Sequence, residues 1–212
     1  MLTFSMLVRG VAVIGVAIST PLMAQQVYPN KPIRIIVPFE PGGANDIIAR
    51  VTAPNLGKAL NQTVIVENKP GASGNTGTDA VAKAEPDGST IGISIGGPLA
   101  INTLLFSKLP YNPKTDLVPI TQLVTQPSAL AVNSNVKVND AAELLTTLKR
   151  ETGRFSYASI GNGSLSHLAM EAINQITGAK MVHVPYPASP AAMTAIIRGD
   201  VQIGMLPAIA VT

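Results

Sequence analysis

The chain lacks cysteine and tryptophan, and aromatic residues make up 4% of its 212 residues. Without cysteine it forms no disulfide bond, uses no thiol nucleophile and has no thiolate metal ligand. The scarcity of aromatic rings leaves no stacking platform for nucleic-acid bases. Its 15 Lys and Arg against 12 Asp and Glu give a formal charge of +3, and the basic residues are scattered singly. We therefore expect no nucleic-acid partner.

Sequence signatures of metal and cofactor sites are also missing. The two histidines, His167 and His183, are not spaced with acidic residues in a metal-ligand motif. The phosphate-loop pattern G-x-x-x-x-G-K-[ST] does not occur, and GNGSLSH at 161–167 lacks the third glycine of the dinucleotide fingerprint. We predict no metal ion and no cofactor.

The N-terminus reads as a secretory signal peptide covering residues 1–24. Arg9 supplies the positive charge, residues 10–18 form the apolar stretch, and Ala24 offers a small residue for cleavage. The stretch is shorter than the roughly 20 residues of a membrane-spanning helix. We expect export to the periplasm, with a retained membrane anchor as the alternative.

The first half of the remaining chain alternates short β-branched runs with helical spacing, which predicts a parallel sheet. Strands are expected at residues 33–37, 63–67 and 90–95, and a helix at 46–60. Pro54 and Gly57 are expected to weaken or bend this helix, because proline removes a hydrogen-bond donor. A helix following a glycine-rich loop is expected to end near Ala84.

The second half repeats this plan after a region rich in proline and polar residues. Residues 120–132 are interpreted as a crossing between two lobes, which we assign to residues 25–122 and 123–212. Helices are then expected at 140–150, up to 176 and at 190–198, with strands at 155–158, 181–184 and 201–205. With 46% hydrophobic residues, the chain can bury a core in each lobe.

Each half contains a strand that runs into a glycine-rich loop and then a helix. These loops read FEPGGAND, with Gly42 and Gly43, and SIGNGSLSH, with Gly161 and Gly163. Glycines at the carboxyl end of a strand leave amide N–H groups facing outward, where the helix dipole favours an anion. Two such loops facing each other predict a clamp for a small anion. A plain tight turn is the alternative for Gly42-Gly43.

Two acidic residues of the first loop have other interpretations. Asp46 lies where an acid caps a helix start, so it is expected to stabilise the helix as well as being a candidate ligand contact. Glu40 would repel an acidic ligand unless its carboxylate points away or meets an amine on the ligand.

One catalytic motif competes with the binding interpretation. Residues 92–96 read GISIG and fit the G-x-S-x-G nucleophile elbow, with Ser94 as the nucleophile. Asp116 or Asp140, followed by His167 or His183, would complete a hydrolase triad in chain order. Against this, the isoleucines around Ser94 continue the strand alternation, and no HGGG-type oxyanion loop precedes it.

Several long stretches resemble the Bug family, the extracytoplasmic receptors of tripartite tricarboxylate transporters. They read YPNKPIRIIVPFEPGGANDIIAR, VIVENKPGASGNTGTDAVAKAEPDGSTIGI, LPYNPKTDLVPI and FSYASIGNGSLSHLAMEAINQITGAKMVHVPY. The resemblance implies an α/β, two-lobed type II periplasmic binding protein fold. It also implies a monomer that performs no chemistry, binds a small organic carboxylate or acidic amino acid, and delivers it to membrane permease subunits. A periplasmic sensor for a signalling partner is the alternative.

The resemblance also implies which residues bind the ligand, largely through main-chain amides of the two loops. The residues so assigned are Phe39, Gly42, Gly43, Asp46, Ser94, Asn102, Ser159, Gly161, Gly163, Ser164, His167 and Tyr186. Three departures from the family pattern stand out: Glu40 replaces a small residue, Pro187-Ala188 replaces a Lys-Gly pair, and members are about half as long again. The C-terminal part of both lobes is therefore expected to be missing from this chain.

Overall fold

A computed structural model describes residues 28–211, which form two β-sheets with helices packed on them. The predicted signal peptide at 1–24 lies outside the described residues. None of the helices within 28–211 combines the length and the hydropathy needed to cross a membrane.

The first sheet is parallel, as predicted, with strand order β2-β1-β3. The strands are β1 (Ile33–Val37), β2 (Val64–Asn68) and β3 (Thr90–Gly92). Helix α1 (Ala44–Leu60) packs its Ala49 and Ala53 on the side chains of Ile35 and Val37. Small residues on the helix allow this close approach to the branched side chains of the central strand. Helix α2 (Asn75–Ala82) contacts β1 and β3.

Helix α1 is continuous from Ala44 to Leu60. Pro54 and Arg50 both lie on its exposed side, so the Arg50 carbonyl oxygen, which lacks an amide partner at Pro54, faces water. Weakening or bending at Pro54 and Gly57 stays a prediction. One local prediction for this lobe was wrong. Strand β3 ends at Gly92 instead of residue 95. The neighbouring strand β1 ends at Val37, and the following Pro38 has no amide N–H with which to extend the ladder.

A π-helical turn (Gly97–Ile101) and the short helix α3 (Asn102–Leu105) follow the first sheet. Their position is fixed by Tyr111, whose buried hydroxyl lies 2.9 Å from both the Pro98 carbonyl oxygen and Asn75 Oδ1. Asn75 also accepts a hydrogen bond of 2.7 Å from Asn102 Nδ2. This polar network joins α3 to the start of α2.

The second sheet has the order β4-β7-β5-β6. Its strands are β4 (Ser128–Val132), β5 (Ser156–Ser159), β6 (Val182–Pro185) and β7 (Ile203–Pro207). Strands β5, β6 and β7 run parallel, whereas β4 is antiparallel to β7. The interpretation of residues 120–132 as a crossing was therefore wrong at its end, because Ser128–Val132 pairs as an edge strand of this sheet.

Helices cover both faces of the second sheet. Helices α4 (Ala141–Arg150) and α5 (Leu165–Thr177) place Leu144, Leu148 and Met170 against Tyr157 and Ile203. Helix α6 (Ser189–Arg198) packs on the opposite face, and its core contacts are made by Ala192, Ala195 and Ile196 against Ala158 and Leu206. The second lobe thus has a core on each side of its sheet.

Candidate functional site

A cavity of about 780 Å³ lies at the carboxyl ends of the parallel strands of both sheets. Phe39 follows β1, Ser94 follows β3 and Ile160 follows β5, and all three line it. Open parallel sheets place their ligands at this edge, because the loops after the strands and the starts of the next helices meet there. The cavity therefore has the position of a ligand site shared by the two lobes.

The first lobe contributes the N-terminus of α1. Gly43, Ala44 and Asn45 line the cavity, and among the described residues no side chain caps this helix. Asn45 is 8% exposed, and its side chain makes no hydrogen bond to any other described residue. Gly42 has a φ of +78°, which glycine adopts without strain. The loop thus presents unpaired helix-start amides and one free carboxamide.

Asp46 holds this loop from behind. Its carboxylate, 3% exposed, accepts hydrogen bonds of 2.9 Å from the Gly42 amide, Arg50 Nε and Asn68 Nδ2. Burial raises the pKa of the Asp46 carboxyl, but the hydrogen bonds from Arg50, Gly42 and Asn68 outweigh it, so the pKa lies below its ordinary value. Asp46 is not one of the lining residues. It anchors the loop whose next residues, Gly43 to Asn45, line the cavity.

The second lobe contributes two helix starts. Leu165 and Ser166 begin α5, Ala188 and Ser189 stand at the start of α6, and all four line the cavity. Ser166 Oγ accepts a hydrogen bond of 3.1 Å from the Ile160 amide. Within residues 28–211, α6 has no side-chain cap, and the hydroxyl of Ser189, which is 3% exposed, has no partner.

The sequence reasoning did not single out Asn45, Ser166 or Ser189. A serine followed by a proline at the first helical turn is a known helix-start pattern, so Ser189-Pro190 carried a usable signal. The signals for Asn45 and Ser166 were weaker, because both fall within the stretches FEPGGAND and SIGNGSLSH, in which the glycines were taken as the main ligand contacts.

The glycine amides of the second loop already have partners inside their own lobe. The Gly161 amide donates to Ser159 Oγ at 3.1 Å, and the Gly163 amide donates to His167 Nδ1 at 3.1 Å. Ser164 caps α5, because its Oγ accepts from the His167 amide at 3.2 Å. These hydrogen bonds shape the loop. They also occupy the Gly161 and Gly163 amides, which the sequence analysis expected to donate to the ligand.

Gly163 is also where the second lobe meets the first. A Cβ atom built on Gly163 would lie 2.5 Å from Asn102 Oδ1 and 2.8 Å from a methyl carbon of Leu105. A Cβ on Gly97 would lie 3.3 Å from the Gly163 carbonyl oxygen. Asn102 is completely buried, and its Oδ1 has no hydrogen-bond partner among the described residues. The loop therefore packs directly against α3.

Ser94 has no catalytic partner in the described chain. Its Oγ is buried and makes no hydrogen bond to any residue of 28–211. Both histidines are engaged elsewhere, His167 with the Gly163 amide and His183 with Ser159 Oγ. A serine nucleophile requires a base within hydrogen-bond reach, so Ser94 stands as a hydroxyl in the cavity wall.

The cavity wall is uncharged. All of its lining residues, which fall within 28–211, have neutral side chains, and Glu40 is not one of them. The same described range contains no group of three or more His, Cys, Asp or Glu residues able to hold a metal ion. The electrostatic character of the site is therefore set by helix starts and by neutral amide and hydroxyl groups.

Three of the twelve residues assigned from the sequence line the cavity: Phe39, Gly43 and Ser94. The other nine are not among its lining residues: Gly42, Asp46, Asn102, Ser159, Gly161, Gly163, Ser164, His167 and Tyr186. Tyr186 packs in the α6 core, and its amide donates to the Ser159 carbonyl at 2.9 Å. A ligand role for each of the twelve stays a prediction.

Comparison with known families and proteins gives a consistent result. Residues 48–212 match the family model described as tripartite tricarboxylate transporter family receptor. The protein BugT of Bordetella pertussis is 38% identical over 208 residues, covering 95% of this chain and 64% of BugT. A UPF0065 protein of Bordetella bronchiseptica is 39% identical over 187 residues, covering 88% of this chain and 55% of the relative. The chain thus spans less than two thirds of these relatives.

Solved structures agree with the sequence relatives. The periplasmic binding protein BugD superposes with a TM-score of 0.79 at 32% identity, covering 85% of this chain and 60% of BugD. The MatC protein of Rhodopseudomonas palustris, solved with bound malate, has a TM-score of 0.80 at 28% identity, covering 87% of this chain and 63% of MatC. An R. palustris protein solved with adipate has a TM-score of 0.82 at 29% identity, covering 86% and 61%.

These neighbours confirm the predicted two-lobed type II periplasmic binding protein fold. They are binding proteins and not enzymes, so the serine hydrolase interpretation of Ser94 was wrong. The chain belongs to the Bug family of tripartite tricarboxylate transporter receptors.

Proposed function

We propose that this protein captures a small organic carboxylate between its lobes in the periplasm and delivers it, chemically unchanged, to the permease subunits of a tripartite transporter. One observation carries the proposal: the N-termini of α1, α5 and α6, which come from both lobes, open on one uncharged cavity. The first amides of a helix lack intrahelical acceptors, and the helix dipole favours an anion at that end.

Neutral side chains supply the remaining donors. The Ser94 hydroxyl is buried and has no hydrogen-bond partner among the described residues, and Asn45 and Ser189, which are 8% and 3% exposed, line the same cavity. A buried polar group without a partner is costly, so the Ser94 hydroxyl favours an occupant that accepts a hydrogen bond. Carboxylate oxygens are such acceptors, and they suit helix starts better than neutral oxygens do.

Donors on both lobes favour a ligand with acceptor groups at both ends, which would hold the lobes together. Two structural neighbours were solved with dicarboxylates, malate and adipate. The apolar part of the wall, which includes Phe39, Ile93 and Ile95, suits the carbon skeleton between such groups.

The cellular setting forms part of the same proposal. Residues 1–24 direct export, residues 25–122 and 123–212 belong to the two lobes, and the protein acts as a monomer. The periplasmic neighbours and the family description support the periplasmic location. Uptake of the bound carboxylate by cells with and without the protein tests delivery, since equal uptake would contradict a transport role and favour a sensor.

Asn45→Ala is the sharpest test of the site. A hydrogen bond to a charged group contributes about 1.5–3 kcal/mol, so affinity for malate or adipate should fall by roughly tenfold or more. The matched control is Asn55→Ala on the same helix, because Asn55 is exposed and bonds only the Val51 carbonyl. Isothermal titration calorimetry compares the variants, and adipamide controls for ligand charge.

Two results would overturn the proposal. The first is a folded protein that no mono-, di- or tricarboxylate stabilises at millimolar concentration in a thermal-shift screen. The second is equal carboxylate affinity for Asn45→Ala and Asn55→Ala.

A further inference from the structure

Both histidines of the chain meet behind the second loop. His167 lies in the first turn of α5 and His183 on β6, and their rings stack with centroids 4.2 Å apart and planes 21° apart. The ring of Tyr157, from β5, stacks on His183 at 4.9 Å. The sequence contains two histidines in total, so every imidazole of the protein belongs to this pair.

Each histidine supports one glycine amide of the loop. His167 Nδ1 accepts a hydrogen bond of 3.1 Å from the Gly163 amide. His183 Nε2 lies 2.6 Å from Ser159 Oγ, and that hydroxyl oxygen accepts from the Gly161 amide at 3.1 Å. The shape of the loop between β5 and α5 therefore depends on the histidine pair.

The bond from Gly163 requires an uncharged imidazole. An imidazolium carries a proton on both ring nitrogens and accepts no hydrogen bond. Protonation of His167 at Nδ1 would turn an acceptor into a donor facing the donor of Gly163. Two charged rings stacked at 4.2 Å would also repel each other.

The ionisable groups facing the pair, besides each other, are Tyr157 from β5 and Glu171 from α5. The Tyr157 hydroxyl donates to the Glu171 carboxylate. Burial, and then the charge of His167, lower the pKa of His183, while the charge of Glu171 acts in the opposite direction. The pKa of His183 thus lies below its ordinary value, which favours the uncharged imidazole.

We infer that the uncharged histidine pair positions the second loop, and that protonation of the pair releases the loop and weakens carboxylate binding. The inference rests on the proposed function. His167 and His183 act through the loop, which packs against Asn102 and Leu105 of the first lobe, and α5, which follows it, lines the cavity at Leu165 and Ser166. A change in the loop thus reaches both the lobe contact and the ligand site.

The loop coupling is tested without ligand. Untagged protein is titrated from pH 8 to pH 5 by NMR, following the Cε1 protons of both histidines and the amides of Gly161 and Gly163. We expect the glycine amides to shift with the midpoint of a histidine. Histidines that titrate while both glycine amides stay unchanged would overturn the inference.

The binding arm compares two substitutions of His167 with adipate as the probe. His167→Asn places an acceptor near the position of Nδ1 that cannot be protonated, whereas His167→Ala removes the acceptor. The wild-type affinity should fall in acid with a limiting slope of about tenfold per pH unit for each coupled proton. His167→Asn should flatten that slope, and His167→Ala should bind weakly at every pH.

Ionisation of adipate itself is the same for all variants, so it cancels in the comparison. Equal slopes for wild type and His167→Asn would contradict the inference. If no mono-, di- or tricarboxylate binds while the glycine amides follow the histidines, the proposed function fails and the loop coupling stands.

Discussion

Replacing Asp46 by alanine should destabilise the first lobe while leaving the ligand contacts in place. The buried carboxylate bonds the Gly42 amide, Arg50 and Asn68, and so ties α1 to the preceding loop and to β2. It also lies in the first helical turn, where a negative charge is favourable. The substitution removes an anchor behind the cavity and none of the lining groups.

The contacts set the size of the effect. Each hydrogen bond to a charged group contributes about 1.5–3 kcal/mol. Gly42 is exposed and the Arg50 side chain is 54% exposed, so water can replace part of the hydrogen bonding that these two donors lose with the Asp46 carboxylate. Asn68 Nδ2 keeps its second acceptor, the Phe39 carbonyl, at 3.0 Å. We expect the free energy of unfolding to fall by about 2–3 kcal/mol.

Urea unfolding followed by circular dichroism measures this change. Arg50→Ala is the control: it removes the exposed partner and should cost less than about 1 kcal/mol. Because the folded pKa of Asp46 is depressed, its contribution is present above about pH 4 and is lost as pH falls through the folded pKa. The difference in the free energy of unfolding between wild type and Asp46→Asn should therefore become smaller as the pH falls.

Two outcomes would refute this reasoning. Asp46→Ala could unfold at the same urea concentration as Arg50→Ala, or it could lose ligand affinity without losing stability. The second outcome would make Asp46 a ligand contact.

Three further predictions concern the second lobe. Asp140 caps α4 by accepting from the Glu143 amide at 2.8 Å, so Asp140→Ala should cost about 1 kcal/mol in urea unfolding and Asp140→Ser should restore most of it. Burial, then the hydrogen bond to Glu171 and the negative charge of Glu171, raise the pKa of the Tyr157 hydroxyl. Tyr157 should therefore stay protonated below pH 11, and Tyr157→Phe should leave the number of tyrosines that ionise in this range of an absorbance titration unchanged. Leu148→Ala should cost about 2–5 kcal/mol, because Leu148 is fully buried, whereas Leu104→Ala should cost almost nothing, because Leu104 is 88% exposed.

The fold could be predicted where residues of one element share a strong local pattern. Strand β1 is a run of branched residues, four of which are buried, and its burial produces the pattern that sequence reasoning recognises. Strand β4 was missed because its sequence, SALAV, is small and mostly not buried, and because its partner β7 lies about 75 residues later. Pairing over such a distance leaves no local trace.

The site could be predicted at the level of loops but not of atoms. Glycine-rich loops after β1 and β5 correctly indicated which edge of each sheet carries the cavity. Sequence alone could not reveal that the Gly161 and Gly163 amides are engaged by Ser159 and His167. Helix α6 was predicted, but its N-terminus was given no part in the site, because VPYPASP holds no glycine.

The uncharged cavity wall has a consequence for release. Helix-end dipoles act over little more than one turn, and the helix starts at the cavity belong to different halves of the molecule, α1 to one and α5 and α6 to the other. Parting the lobes by a few ångströms would let water reach each end separately and divide the attraction. Separation of the lobes would therefore be sufficient to weaken the binding of an anion, without a change in the charge of any side chain that lines the cavity.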